Sequence, residues 1–268
     1  MTTPSLPQST RLSFSGKTAE LTRDTLTDSG VVLSIGGAEQ SHVEVADPSF
    51  LLHDYIRRMR AVLSNTLTTA PATALHLGAG AMTLPRWLQQ RWPEIAQTVL
   101  DIEPELVDFV LEHLPLEPRP ENIVADAAAA TAPDGVLNGR RFDVVVVDLF
   151  NSAQAPEPIT SAEFFAQVMQ LLTPAGKMLM NFGDEADMSF ARGLVGRLLQ
   201  AVESRGFSSE QALLSAPDAV LGAAEEGNLV FAVAAEHAFT AAELSRIWAA
   251  GPHPGEVLTG PELQQWCQ

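Results

Sequence analysis

The sequence predicts an α/β protein: a largely parallel sheet covered by helices on both faces, preceded by a small antiparallel β piece. Three observations lead there. From residue 73 onward, apolar strand-like runs alternate with helical patterns, the signature of a parallel sheet. One run, "FDVVVVDLF" (142–150), holds four consecutive valines, as a strand buried on both faces requires. Acids recur where successive runs end, at Asp101, Asp126 and Asp148, spaced 25 and 22 residues apart.

Composition bounds the partners. The 268 residues, 46 % of them apolar, suffice for one large domain or one domain and a small one. Net charge is -17, with Lys17 and Lys177 the only lysines, so nucleic acid is not an expected partner. A cationic ligand would be tolerated or attracted. No apolar run nears the roughly 20 residues that span a bilayer, so no membrane partner is expected. The start, "MTTPSLPQST", lacks the basic and apolar regions of a signal peptide; it reads as a flexible leader of a cytoplasmic protein. Cys267 is the single cysteine, which leaves no disulfide framework. His42, His53, His76, His113, His237 and His253 show no usual ligand spacing, so no metal is expected. His76, inside a strand, reads as a core histidine.

The elements follow in order. Residues 1–10 form the leader. Residues 11–47 alternate apolar and polar positions between Gly and Asp turns, in "RLSFSGKTAEL", "GVVLSIGG" and "QSHVEVAD", and read as a small N-terminal β domain. Residues 48–268 form the larger domain. It opens with a helix in "SFLLHDYIRRMRAVLSN", where apolar residues return at helical intervals. Strands are expected in "TALHLG", "AQTVLDI", "NIVAD", "FDVVVVDLF" and "GKMLMNF", with helices between them and a last helix ended by Gly206. Two β-like runs, "SSEQALLSA" and "NLVFAVAAE", suggest an antiparallel hairpin at one edge of the sheet.

In such sheets ligands bind beyond the carboxyl ends of the strands. The first strand delivers Gly78 and Gly80, which allow a tight turn and close backbone approach. Asp101 lies 23 residues after Gly78, near the roughly 20 expected of an acid that holds ribose hydroxyls. Asp126 suits an exocyclic adenine amine, and Asp148 suits a cationic group or amine. A helix N-cap would equally explain Asp101 or Asp126, and a turn would explain Asp148. Together they indicate a nucleoside-binding crevice.

These residues resemble the spermidine synthase family, which has a seven-stranded Rossmann-like class I methyltransferase fold with a small N-terminal antiparallel β domain. The resemblance runs from "EQSHVEVADP" to "GNLVFAVA" and "EVLTGPELQQW". It implies that Gln40 contacts the nucleoside, that Gly78 and Gly80 form the glycine-rich loop, and that Asp101, paired with Glu103, holds the ribose. It makes Asp126 the adenine ligand, beside Ala127, and Asp148 the catalytic carboxylate. Asn151 and Gln154 fall in the acceptor loop. The co-substrate implied is decarboxylated S-adenosylmethionine or S-adenosylmethionine, without a metal; the other partner is a small molecule such as a cationic amine, and the assembly a homodimer. The chain departs from the pattern at Ala81 and Asn151, each standing where the family has an acid, and in "FLLHDY", where a Tyr-His-Glu-like stretch is blurred. Aminopropyl transfer is therefore the leading expectation. The alternatives are methyl transfer from intact S-adenosylmethionine and nucleoside binding without turnover.

Overall fold

The computed structural model describes residues 5–150 and 155–268. The chain opens with an antiparallel sheet of β1 (Gln8–Arg11), β2 (Thr18–Arg23), β3 (Gly30–Ile35) and β4 (Ala38–Glu44), in that order. β1 begins inside the expected leader, with Gln8 already paired to Leu21. The last hairpin turns at Gly36 and Gly37, both at positive φ, the backbone that a two-residue hairpin loop demands. Leu12, Ala19, Leu21, Val31, Leu33 and Val43 are buried on one face of this sheet.

The main sheet alternates with helices: α1 (Asp54–Thr66), β5 (Thr73–Leu77), α2 (Thr83–Arg91), β6 (Ala96–Asp101), α3 (Leu106–His113), β7 (Glu121–Val124), α4 (Ala127–Thr131), β8 (Phe142–Val147), α5 (Ala162–Gln170), β9 (Leu172–Asp184) and α6 (Ser189–Ser204). It closes with β10 (Ala212–Ala216), α7 (Asp218–Leu221), β11 (Gly227–Ala234), α8 (Ala241–Ala250), β12 (Glu256–Thr259) and α9 (Gly260–Trp266). The order across the sheet is β12-β10-β11-β9-β8-β5-β6-β7. β5 to β9 run parallel, while β10, β11 and β12 are antiparallel to their neighbours.

Eight strands replace the expected seven. The addition is β12, four residues between Gly255 and Gly260, too short to show a period. It pairs outside β10, so the β10–β11 hairpin is not the sheet edge. The first long helix starts at Asp54, leaving Phe50 and Leu51 ahead of it.

The valine run shows why β8 is central. Val145 and Val147 face a core shared with α5 and α6, while Val144 and Val146 face one shared with α1, α2 and α8. Period-two alternation between two apolar layers explains an unbroken apolar strand. A third core joins the N-terminal sheet to α3 and to Ala79, Ala81 and Met82 of the glycine loop. Thus the small sheet is packed onto the loop that follows β5.

Strand order reverses between β5 and β8, and the two strand ends nearly touch. Gly78 has φ +97°, and a Cβ there would overlap the Asp148 carbonyl oxygen. Gly139 has a similar φ of +78° but open space around it. Gly139→Ala should therefore cost about 1 kcal/mol, the penalty of a left-handed L residue. Gly78→Ala should cost roughly 3 kcal/mol or more, because overlap adds to that strain. Urea unfolding of the two variants measures the difference, and equal costs would contradict the close approach.

Candidate active site

A cleft of about 690 Å³ opens above the carboxyl ends of β5, β6 and β8, within the usual range for a small-molecule site. Gln40, Gly78, Gly80, Asp101, Asp126, Ala127 and Asp148 all line it. The sequence-predicted residues are therefore brought together, except Asn151 and Gln154, which lie outside the described residues. Ala81 does not line the cleft. It is fully buried under the N-terminal sheet, its N–H donated to Ser41 Oγ at 3.1 Å. Gly80 is the residue of that loop that borders the cleft, beside Ala79 and Gly78.

Each carboxylate has a distinct environment. Asp101 Oδ2 accepts from the Ala79 N–H and Oδ1 from the Glu103 N–H, both at 2.9 Å. Burial raises its pKa, and these amides oppose the rise. The carboxylate thus braces the glycine loop rather than capping a helix. Each oxygen keeps a further lone-pair direction for an incoming hydroxyl. Asp126 is the N-cap of α4, with Oδ1 accepting from Ala129 N–H at 2.9 Å. That is the capping role weighed for it, and its exposed carboxylate still borders the cleft.

Glu103 does something the sequence did not show. Its carboxylate accepts the backbone N–H groups of Phe14 at 3.1 Å and Ser15 at 2.9 Å. Glu105 accepts from Ser13 N–H at 3.1 Å. Two acids after β6 therefore grip the tip of the β1–β2 hairpin and hold Phe14, 65 % exposed, at the cleft wall.

Asp148 stands at the end of the valine strand. Its Oδ2 accepts from the Tyr55 hydroxyl at 3.2 Å, and its Oδ1 accepts from Asn181 Nδ2 at 2.9 Å. Burial pushes its pKa above the usual carboxylate range, against the pull of Asn181 and Tyr55. Burial, with the Asp148 charge, also raises the Tyr55 phenol, so Tyr55 is a donor at neutral pH. Asn181 Oδ1 is buried with no hydrogen-bond partner among the described residues. An acceptor left bare beside a carboxylate suits an N–H donor from a ligand. At the rim, His53 Nε2 lies 3.3 Å from Glu39 Oε1.

Tyr55 and Asn181 were not anticipated, although both left a trace. Tyr55 is the only tyrosine in the chain and sits on the buried face of a helix, where its hydroxyl needs a partner. Asn181 interrupts the apolar run "KMLMNF", and a buried amide must also be satisfied. Among the described residues, no group of three or more His, Cys, Asp or Glu is placed to hold a metal ion. No helix among them is long and apolar enough to cross a membrane.

Comparison with known proteins bears on the fold. No model of a known protein family matches the chain. The polyamine aminopropyltransferase of Chromobacterium violaceum is 27 % identical over 172 residues, 62 % of either chain. That of Neisseria meningitidis serogroup A is 28 % identical over 188 residues, 66 % of this chain and 70 % of its own. The alignments therefore span about two thirds of these relatives. Among solved structures, a probable spermidine synthase from Corynebacterium glutamicum superposes with a TM-score of 0.82 at 23 % identity, covering 98 % of this chain and 94 % of that one. A human methyltransferase-like protein 13 in complex with SAH gives 0.58 at 18 % identity, covering 81 % of this chain and 93 % of that one. These confirm the class I methyltransferase fold.

Two expected outcomes test the site. Because the folded-state pKa of Asp148 is raised, the native state holds this proton more tightly than the unfolded chain. Its contribution to stability is present at low pH and is lost as pH rises through the window above 3.8. Asp148→Asn should thus be at least as stable as the parent at pH 7, with the advantage shrinking towards pH 4 in thermal melts. Glu103→Ala should speed amide exchange at Phe14 and Ser15 by ten-fold or more, the loss of two charge-assisted bonds at about 1.5–3 kcal/mol each being an upper bound. Unchanged exchange would remove Glu103 from the hairpin clamp.

In sequence the chain is similar to polyamine aminopropyltransferases, and in fold to a probable spermidine synthase.

Proposed function

We propose that the protein is a transferase that moves an aminopropyl group from decarboxylated S-adenosylmethionine to an amine. The carrying observation is the half-buried Asp148, held by Tyr55 and Asn181, in the same cleft as Asp101 and the glycine loop. The names of the relatives favour the same chemistry. A spermidine synthase solved with the transition-state analogue AdoDATO shares the fold, with a TM-score of 0.55 at 13 % identity over 88 % of this chain and 74 % of that one.

In this reading Gln40, Gly78, Gly80, Asp101, Asp126 and Ala127 hold the nucleoside half of the donor. The acceptor amine enters protonated, its unperturbed pKa being near 10 as for lysine. Asp148 takes a proton from it, and Asn181 Oδ1 accepts a second N–H. The freed lone pair forms a bond to the carbon beside the sulfonium, the carbon–sulfur bond breaks, and its electron pair leaves with sulfur as methylthioadenosine. Tyr55 keeps Asp148 oriented through the exchange. General-base catalysis of this kind contributes about 10²–10⁴-fold, and alignment in the cleft supplies up to roughly 7–11 kcal/mol. Asn151 and Gln154 belong to the acceptor loop in the same reading.

Calorimetry with decarboxylated S-adenosylmethionine, S-adenosylmethionine and methylthioadenosine tests the assignment. The decarboxylated donor should bind tightest. Preference for the intact form would favour methyl transfer, and no binding by any of them would sink the nucleoside reading. Asp148→Asn should retain methylthioadenosine affinity and lose turnover by at least about 100-fold. Residual turnover should fall in the parent as pH drops through the raised pKa of Asp148, since the base must be ionised.

A further inference from the structure

The tip of the β1–β2 hairpin is short and tightly held. Leu12 N–H bonds to Lys17 O at 2.9 Å, which leaves Ser13, Phe14, Ser15 and Gly16 as the loop, with Gly16 turning it at φ +68°. Three successive N–H groups of that loop go to carboxylates that follow β6. Ser13 donates to Glu105, and Phe14 and Ser15 donate to Glu103. Lys17 N–H donates to Ser15 Oγ at 3.2 Å, and Leu12 at the base is fully buried. The backbone of the tip is pinned while the ring it carries stands in the open.

A single exposed apolar side chain is ordinary on a protein surface. Phe14 differs in where it is fixed and by what. It lines the cleft together with Ile35 of β3, while Asp101 and Ile102 line the same cleft from the end of β6. The bonds that fix it run to the ribose-side acid without a break. Asp101 Oδ1 accepts the Glu103 N–H at 2.9 Å, and Glu103 Oε2 accepts the Phe14 N–H at 3.1 Å. Glu103 is itself buried, and bonds to a charged acceptor are the stronger kind. The entropy of ordering this wall is therefore met before any ligand arrives, which is how a contact surface gains affinity.

We propose that Phe14 is a further nucleoside-binding residue, its ring packing on the nucleoside held at Asp101, and that Glu103 is the positioning residue that aims it. This rests on the donor half of the transferase reading above. A nucleoside has polar edges and apolar faces. The strand-end loops offer N–H groups and carboxylates to the edges, and the Phe14 ring covers a face that those loops leave to water. Packing of this kind needs no directed hydrogen bond. It adds affinity without distinguishing a sulfonium donor from its thioether product, so methylthioadenosine is a sufficient probe.

The test uses the full chain and calorimetry with methylthioadenosine. No binding by the parent would overturn the transferase reading and this proposal with it. Given binding by the parent, Phe14→Ala should bind roughly ten-fold more weakly, with a thermal midpoint within about 2 °C of the parent because the exposed ring supports little of the free fold. Equal affinity in Phe14→Ala would overturn this proposal alone. Phe14→Trp should keep affinity within about three-fold, and its emission, taken as the difference from the parent, should change on adding methylthioadenosine. Trp87, Trp92, Trp248 and Trp266 all stand outside the cleft lining, so an unchanged difference spectrum would count against contact. Glu103→Ala should weaken binding about five-fold or more in the parent but by less than about two-fold in the Phe14→Ala background, since a residue that acts through Phe14 has nothing left to aim. The same loss in both backgrounds would put Glu103 itself on the ribose and overturn its positioning role. Dissociation of an oligomer in Phe14→Ala, with affinity per chain unchanged, would assign the ring to a contact between copies instead.

Discussion

How closely two strand ends can approach decides what this molecule can do. β5 and β8 are neighbours at the place where the strand order reverses, so the chain leaves them in opposite directions and opens a crevice. The ladder runs one residue past both strands: Asp148 N–H bonds to Leu77 O at 2.9 Å, and Gly78 N–H to Leu100 O at 2.8 Å. A side chain at 78 would push against the Asp148 carbonyl and tilt the carboxylate away from Tyr55 and Asn181. Gly78 is thus demanded by the placement of Asp148 before any ligand is considered.

The acids around the crevice divide their labour by what they bond. Asp101 and Glu103 spend bonds on backbone N–H groups, which makes them braces: one for the glycine loop, the other for the β1–β2 hairpin. Asp126 closes the first turn of α4. Only Asp148 is held wholly by side chains, and both of its partners stand on other elements, α1 and β9. A carboxylate in that position can change protonation state without undoing the backbone around it. Its burial is unfavourable for the charged form, the pattern expected where stability yields to function.

Most of the architecture was legible in the sequence because its signals are local. The four valines of β8 must lie between two apolar layers, and they do. The acids at 101, 126 and 148 mark strand ends because each follows an apolar run. What was not legible is long-range or short. Phe14 and Ser15 meet Glu103 across 89 and 88 residues, and no spacing rule reaches that far. β12 is only four residues. β1 starts at Gln8, inside a stretch whose prolines and serines read as a leader, because pairing with β2 outweighs local composition. The place of Ala81 was hidden for the same reason: only the packing of β4 over the glycine loop shows that residue 81 points into a core. Tyr55 and Asn181 could have been suspected, each being a lone polar group on an apolar face, but nothing in the sequence said that they share one carboxylate.

The charge of the chain and the lining of its cleft pull in different directions. At -17 the surface draws every cation inward, polyamines and simple amines alike, so long-range attraction raises encounter rates without choosing among them. Choice must then be made at short range, where water is excluded. In the proposed reading the short-range acceptors are Asp148, held by Tyr55 and Asn181 at the strand end, and Asn181 Oδ1, unpartnered among the described residues. Recognition of an amine would in that reading rest on these two groups, and not on the net charge that brings cations to the cleft.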